Sequence, residues 1–268
     1  MTMKICIAQM EVVWEDPGAT LNRARSYIQQ AAETGASLVC FPEQFATGWD
    51  PSSHTFVQGM EGKIVTTLRT LARKSGIAIL GSLREQYKPL PRNTAIVVDS
   101  RGEVIARYAK CHPFTPGGEE RHYCPGNEIT IFRIDDLAFG LGICYDLRFP
   151  PLFRAYAQRG VHAVIIPAAW PASRLRHWEI LIRARAVDNR LYIIGVNTTG
   201  TTPVDTYRGD SIIVGPDGEV IARGGEGEEL ICAFLDPRHI EQVQNQPPFV
   251  EHDRREELYH ELFRTKPG

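Results

Sequence analysis

The chain has 268 residues, 43% of them hydrophobic and 23% charged, with a formal charge of −2. That length can bury a sizeable core, in two domains or in one large layered one. The near-neutral balance offers no basic footprint for nucleic acid or an anionic membrane, so a small molecule or another protein is the expected partner.

The opening text, MTMKICIAQM, reads directly as a strand over 4–10, without the apolar core and cleavage site of a signal peptide, so export is not expected. A helical pattern follows at 19–34, a strand at 36–41, a helix at 63–75 and a strand at 77–83, which makes the first third α/β. Next comes a hairpin-like stretch, IVVDSRGEVIAR at 96–107, whose text returns as IIVGPDGEVIAR at 212–223. The echo extends: a helix-Gly-strand-Pro sequence at 33–42 recurs at 157–167, and the strand at 75–83 is answered at 189–197. Two similar halves predict two sheets related by a pseudo-twofold. Their apolar faces would pack on each other and amphipathic helices would cover the outside, giving a four-layer α-β-β-α sandwich. No linker divides the chain, so residues 1–246 are expected to form one domain. Residues 247–268 change to charged text with one short helical pattern, a tail expected to pack on a second subunit.

The longest apolar run, 163–170, contains Pro167 and falls far short of the ~20 residues of a membrane span. The six cysteines include no CxxC pair; Cys6, Cys40 and Cys232 lie in apolar strand text. Free thiols in a reducing cytoplasm are therefore expected.

In α/β sheets, functional groups gather just past the carboxyl ends of strands, where the backbone leaves the core but stays rigid. Three such exits carry reactive side chains: LVCFPEQ ends in Glu43, VIARYAKCH in Lys110 and FGLGICYD in Cys144. A carboxylate, an ammonium and a thiol can together run acyl transfer without histidine. Singly, each has an ordinary reading, as a packed thiol, a helix cap or a solvated charge. Alternation along 137–144 places Ala138, Gly140 and Gly142 on the face of Cys144, which predicts space beside the sulfur. The segment CHPFTPGGEERHYC could suggest a metal site through Cys111, His112, His122 and Cys124, but its spacing is not a usual zinc pattern.

The stretches LVCFPEQFATGW, RYAKCHPF, GICYDLRFPPLFR and RARAVDNRLYIIGVN resemble the nitrilase superfamily of carbon-nitrogen hydrolases, over about residues 4–236. The resemblance implies the same four-layer fold, dimers formed through outer-layer helices, and hydrolysis of a small amide without metal or cofactor. It makes Cys144 the nucleophile, Glu43 the general base and acid, and Lys110 the cation that steadies the oxyanion with the backbone N–H of Tyr145. The ammonium beside Cys144 would favour the thiolate. A second glutamate is implied in GGEERHYCPG; its counterpart is Glu119, with Glu120 the alternative. YDLRFPPLFR and AAWPASRLRHW look closest to the ω-amidase-like branch, with nitrile or N-carbamoyl hydrolysis as sister activities. Arg148 is expected to pair with a carboxylate near the nucleophile turn, Trp170 to lie at the pocket edge as wall or packing, and Arg174 and His177 to stand in the loop beyond. Helix 178–189 is expected to pack one face on the sheet, with Arg183 and Arg185 in ion pairs. The other class of reading is a non-catalytic interaction protein.

Overall fold

The computed structural model describes residues 2–247 and 255–264. Fourteen strands and six α-helices are set among those residues. One six-stranded sheet has the order β14-β1-β2-β3-β4-β5 and the other β13-β12-β9-β8-β7-β6. In the first half β1 (Met3–Gln9), β2 (Leu38–Cys40) and β3 (Ala78–Glu85) run parallel, joined by α1 (Pro17–Glu33) and α2 (Lys63–Ser75). In the second half β7 (Leu137–Leu141), β8 (Ala163–Pro167) and β9 (Tyr192–Val196) repeat the pattern through α3 (Pro150–Ala157) and α4 (Leu175–Asn189).

Each half then adds an antiparallel hairpin. These are β4 (Arg92–Val98) with β5 (Val104–Ala109), and β12 (Ile212–Val214) with β13 (Val220–Arg223). The glycine repeated in both hairpin texts has a positive φ, +80° at Gly102 and +86° at Gly218. A left-handed turn residue explains why both copies keep it. The remaining strands are β6 (Ile131–Ile134) beside β7, β14 (Glu229–Leu235) beside β1, and a separate hairpin of β10 (Thr199–Thr201) and β11 (Thr206–Arg208). Helix α5 spans Pro237–Gln244 and α6 spans Glu256–Arg264.

The alternating side chains of both sheets explain the layering. Ile5, Ile7, Leu80 and Val97 of one sheet meet Phe139, Leu141, Ile165 and Ile194 of the other in a dry central layer. On the opposite faces, Cys6, Val39, Ile79 and Ile96 pack under α1 and α2, while Val164, Ile166, Ile193 and Ile212 pack under α3 and α4. The fold is thus the four-layer α-β-β-α sandwich that the internal echo implies.

Two expectations need correction. Cys6 and Cys232 are not free thiols: they are register partners on β1 and β14 and form a disulfide. They lie 226 residues apart, so only strand pairing reveals them as neighbours. Cys40, Cys111, Cys124 and Cys144 are free. The strand predicted to run through 144 stops at Leu141, and the small face of Gly140 and Gly142 does not border the sulfur. A Cβ on Gly140 would fall 2.6 Å from the Tyr156 ring, and one on Gly142 would fall 2.9 Å from Ile166 Cδ1. These glycines admit the outer helix layer.

Part of the predicted tail lies outside the described residues. Within α6, Tyr259 sits against the guanidinium of Arg154 on α3 of the same chain, at 5.2 Å. Among the described residues, no helix is long and apolar enough to cross a membrane.

Candidate functional site

The three strand exits converge. Lys110, one residue past β5, places its Nζ 2.8 Å from Glu43 Oε1 and 2.8 Å from Glu119 Oε2. Glu43 follows β2, where Pro42 turns the chain, and Glu119 begins a single 3-10 turn (Glu119–Arg121) in the loop after β5. All three side chains are buried. Asn93 on β4 joins the carboxylates, its Nδ2 donating to Glu43 Oε1 at 2.7 Å and to Glu119 Oε1 at 3.1 Å. Glu43 Oε2 accepts the backbone N–H of Ala169 at 3.1 Å, just past β8. Glu119 Oε2 also accepts the Phe114 N–H. Glu120 is exposed and lies near Arg121, so Glu119 is the glutamate on Lys110.

Two carboxylates around one ammonium leave a surplus negative charge in a dry place. Burial pushes the Glu43 carboxyl above its ordinary range, Lys110 opposes this, and the charge of Glu119 adds to the rise. For Glu119, burial also pushes up, but the Lys110 ammonium and the hydrogen bonds from Lys110, Phe114 and Asn93 outweigh it and hold the carboxyl low. Burial works against the charge on Lys110, yet the two carboxylates overcome it and keep the ammonium protonated. The arrangement therefore favours an ionised Glu119 and a charged Lys110, and makes Glu43 the carboxylate of raised basicity.

Cys144 opens a 3-10 turn (Cys144–Arg148) with φ +45°, a left-handed conformation unusual for a residue with a Cβ. Leaving the strand at Gly142 and turning sharply lifts the sulfur out of the sheet toward Glu43 and Lys110. The thiol pKa is raised well above normal, by burial first and then by the charge of Glu43, with Lys110 opposing. Lys110 does favour the thiolate, as expected, but burial and the charge of Glu43 outweigh it and favour the thiol.

The turn is held by a residue that sequence reasoning passed over. Asp146, fully buried, accepts the Ile143 N–H at 2.9 Å and the Tyr108 hydroxyl at 2.8 Å through Oδ2. Through Oδ1 it accepts the His112 N–H at 2.9 Å and meets His112 Nδ1 at 2.7 Å. It ties the Cys144 turn to the end of β5, where Lys110 stands. His112 also stacks on Phe149, with ring centroids 3.6 Å apart, so its imidazole belongs to this tether. From the other side Arg185 Nε donates to Leu147 O at 3.1 Å. Helix α4 thus supports the turn through a cation expected in an ion pair, while Arg183 does pair with Glu179.

A narrow pocket opens over Cys144. Its volume, counted for water-sized spheres, is about 30 Å³, and Trp49, Phe114, Tyr145, Arg148, Trp170 and Arg174 wall it. Trp170 is both wall and packing: it lines the pocket, packs on Trp178 and donates from Nε1 to Arg174 O at 2.8 Å. The Arg148 guanidinium lies 5.0 Å from the Trp170 ring, with His177 Nδ1 at 3.4 Å. Among the described residues no carboxylate pairs with it, so the expected ion pair is absent and the guanidinium faces the pocket. Arg174 lies over the Phe114 ring at 5.2 Å. Trp49 and Phe114 come from two loops, 44–60 and 112–126, whose conformation local sequence pattern does not give.

A family model described as carbon-nitrogen hydrolase matches residues 4–245. A 2-oxoglutaramate amidase of Bacillus subtilis is 30% identical over 97% of this chain and 100% of its own length. An omega-amidase of Homo sapiens is 32% identical over 89% of this chain and 90% of its own. Among solved structures, Saccharomyces cerevisiae Nit3, a member of branch 10 of the nitrilase superfamily, superposes with a TM-score of 0.87 at 31% identity, covering 95% of this chain and 97% of its own. An amidase from Nesterenkonia sp. AN1 in complex with butyramide gives a TM-score of 0.82 at 28% identity, covering 94% and 96%.

Proposed function

Because the chain belongs to the carbon-nitrogen hydrolase family, we propose that it is an ω-amidase, hydrolysing the terminal amide of a small linear acid whose other end is a carboxylate. The observation that carries this reading is the pocket wall. Arg148 and Arg174 stand beside Cys144 on aromatic faces and, among the described residues, meet no carboxylate of the protein. Guanidinium forks bind carboxylate in two directions at once, and desolvation on one side strengthens the bond. The similar 2-oxoglutaramate amidase and omega-amidase support the same substrate class.

Chemistry begins with the Cys144 thiol. Glu43, a carboxylate of raised basicity, takes its proton as the sulfur attacks the amide carbon. Lys110 and the Tyr145 N–H steady the oxyanion, and Glu119 holds Lys110 in place and charged. Glu43 returns the proton to the leaving nitrogen, the C–N bond breaks, and ammonia departs from a Cys144 thioester. Glu43 then takes a proton from water as the oxygen attacks; the C–S bond breaks, the sulfur regains its proton, and the acid leaves.

The chain works as a homodimer in this reading, supported by Ile180 and Val187, which are 55% and 52% exposed on α4. A surface helix showing two large aliphatics is suited to burial against a second copy. A cytoplasmic setting, which would also tend to open the Cys6–Cys232 bond, would keep the Cys144 thiol reduced.

Ammonia release from a panel of amides, nitriles and N-carbamoyl compounds tests the proposal. The half-amide of succinic acid should be turned over with a higher kcat/KM than butyramide. In Arg148→Ala, KM for the half-amide should rise about tenfold or more, the loss of one charge-assisted contact, while butyramide hydrolysis changes little. Activity on nitriles alone or on N-carbamoyl compounds alone would displace the assignment, and full hydrolysis by Cys144→Ala would remove the mechanism.

A further inference from the structure

Beside Glu43 lies a second, smaller cavity, walled by Met10, Phe45, Glu43, Trp49, Thr198 and Tyr207. Trp49 and Ala169 border both spaces, so the two adjoin, but Glu43 borders the small one. Its volume for water-sized spheres is about 10 Å³, the room one water needs. Tyr207, on β11, is 3% exposed.

Two donors at this cavity are unspent. Tyr207 Oη and Trp49 Nε1 are both buried and find no hydrogen-bond partner among the described residues. The neighbouring hydroxyls are engaged: Thr198 donates to Met10 O at 2.8 Å, and Thr202 donates to Asp205 O at 3.3 Å. Burial raises the Tyr207 pKa, the nearby Thr202 hydroxyl works against the rise, and the charges of Asp205, Glu43 and Cys144 add to it. The phenol therefore keeps its proton to donate, within electrostatic reach of Glu43 and Cys144. Glu43 contributes an acceptor, since its Oε2 receives a single backbone N–H, from Ala169.

Two donors and one carboxylate around a one-water space specify the ligand. Water, with two lone pairs and two protons, can accept from both donors and give a proton to the carboxylate; an acyl chain does neither. We propose that this cavity is the site of the hydrolytic water, held by Tyr207 and Trp49 and delivered to Glu43 after the thioester forms. In that step one water O–H proton passes to Glu43, the oxygen bonds to the thioester carbon, the C–S bond breaks, and Cys144 recovers the proton from Glu43. The inference rests on the thioester mechanism proposed above.

The two half-reactions separate the test from that mechanism. With the half-amide of succinic acid, the ammonia burst reports acylation, steady-state acid formation reports the whole cycle, and intact mass spectrometry reports the fraction of chains acylated. Tyr207→Phe deletes one hydroxyl and keeps the ring. The burst rate should stay within about twofold while steady-state turnover falls about tenfold, the worth of one buried hydrogen bond, and acylated protein accumulates. Unchanged turnover and acyl fraction, or a burst slowed in parallel with turnover, would overturn the assignment. Tyr207→Met, which also lacks the hydroxyl and lies outside the main pocket, carries the same test should the first variant fail to fold. Absence of any adduct on Cys144 in the wild type would instead refute the thioester mechanism itself.

Discussion

Asp146→Asn is the sharpest probe of how the site is held. The carboxylate accepts two contacts at each oxygen, with Ile143 N–H and Tyr108 at Oδ2 and with His112 N–H and Nδ1 at Oδ1. An asparagine of the same shape has one acceptor and one donor end. If its NH₂ replaces Oδ2, it faces the Ile143 N–H; if it replaces Oδ1, it faces the His112 N–H. Tyr108 and His112 Nδ1 can reverse roles, but a backbone amide cannot, so in either orientation one backbone donor loses its acceptor. That loss in a fully buried place costs about 1–3 kcal/mol, and losing charge assistance on the surviving contacts raises the total to about 2–4 kcal/mol. The same backbone amides fix the turn carrying Cys144, so its sulfur shifts relative to Glu43 and Lys110. A displacement approaching 1 Å lowers kcat/KM by on the order of a hundredfold. Urea unfolding followed by circular dichroism measures the first effect, and ammonia release the second. A variant within about 0.5 kcal/mol of the wild type in stability and within about twofold in kcat/KM would refute the tether.

Glu119→Gln should move the acid limb of the kcat/KM profile to lower pH. The Glu119 charge is one of the influences that raise the Glu43 carboxyl, and in the proposed mechanism Glu43 is ionised when it accepts the thiol proton; a limb that stayed in place or moved up would contradict this coupling. Gly142→Val should damage stability rather than selectively slow turnover. Its Cβ would already press on Ile166 and approach Asp146 and Leu152, an overpacking cost of about 1–3 kcal/mol by thermal or urea unfolding. A variant of unaltered stability but depressed turnover would return this glycine to the pocket.

Much of this protein is readable from local pattern. Alternation and helical spacing are short-range properties, and the repeated text at 96–107 and 212–223 carries the pseudo-symmetry openly. The sandwich and the three exits at Glu43, Lys110 and Cys144 follow from them. Choosing Glu119 over Glu120 needed the loop after β5 in three dimensions, since neighbouring glutamates look alike until one is buried against an ammonium. Asn93 gives no signal along the chain, being one polar residue in an apolar hairpin strand. Asp146 stands openly in the CYD text, but its four contacts come from Tyr108, His112 and Ile143, two of them on another sheet edge.

By itself the sequence determined the layers, the halves and the types of reacting group, because hydrophobic period and residue chemistry act over a few positions. Only the tertiary structure decided which groups meet and in what protonation state. The Cys6–Cys232 disulfide joins residues 226 apart, and the raised Cys144 thiol follows from burial and from the charges folded around it. Desolvation and charge pairing are properties of enclosed space, and neighbours in that space are chosen by strand order rather than by sequence distance.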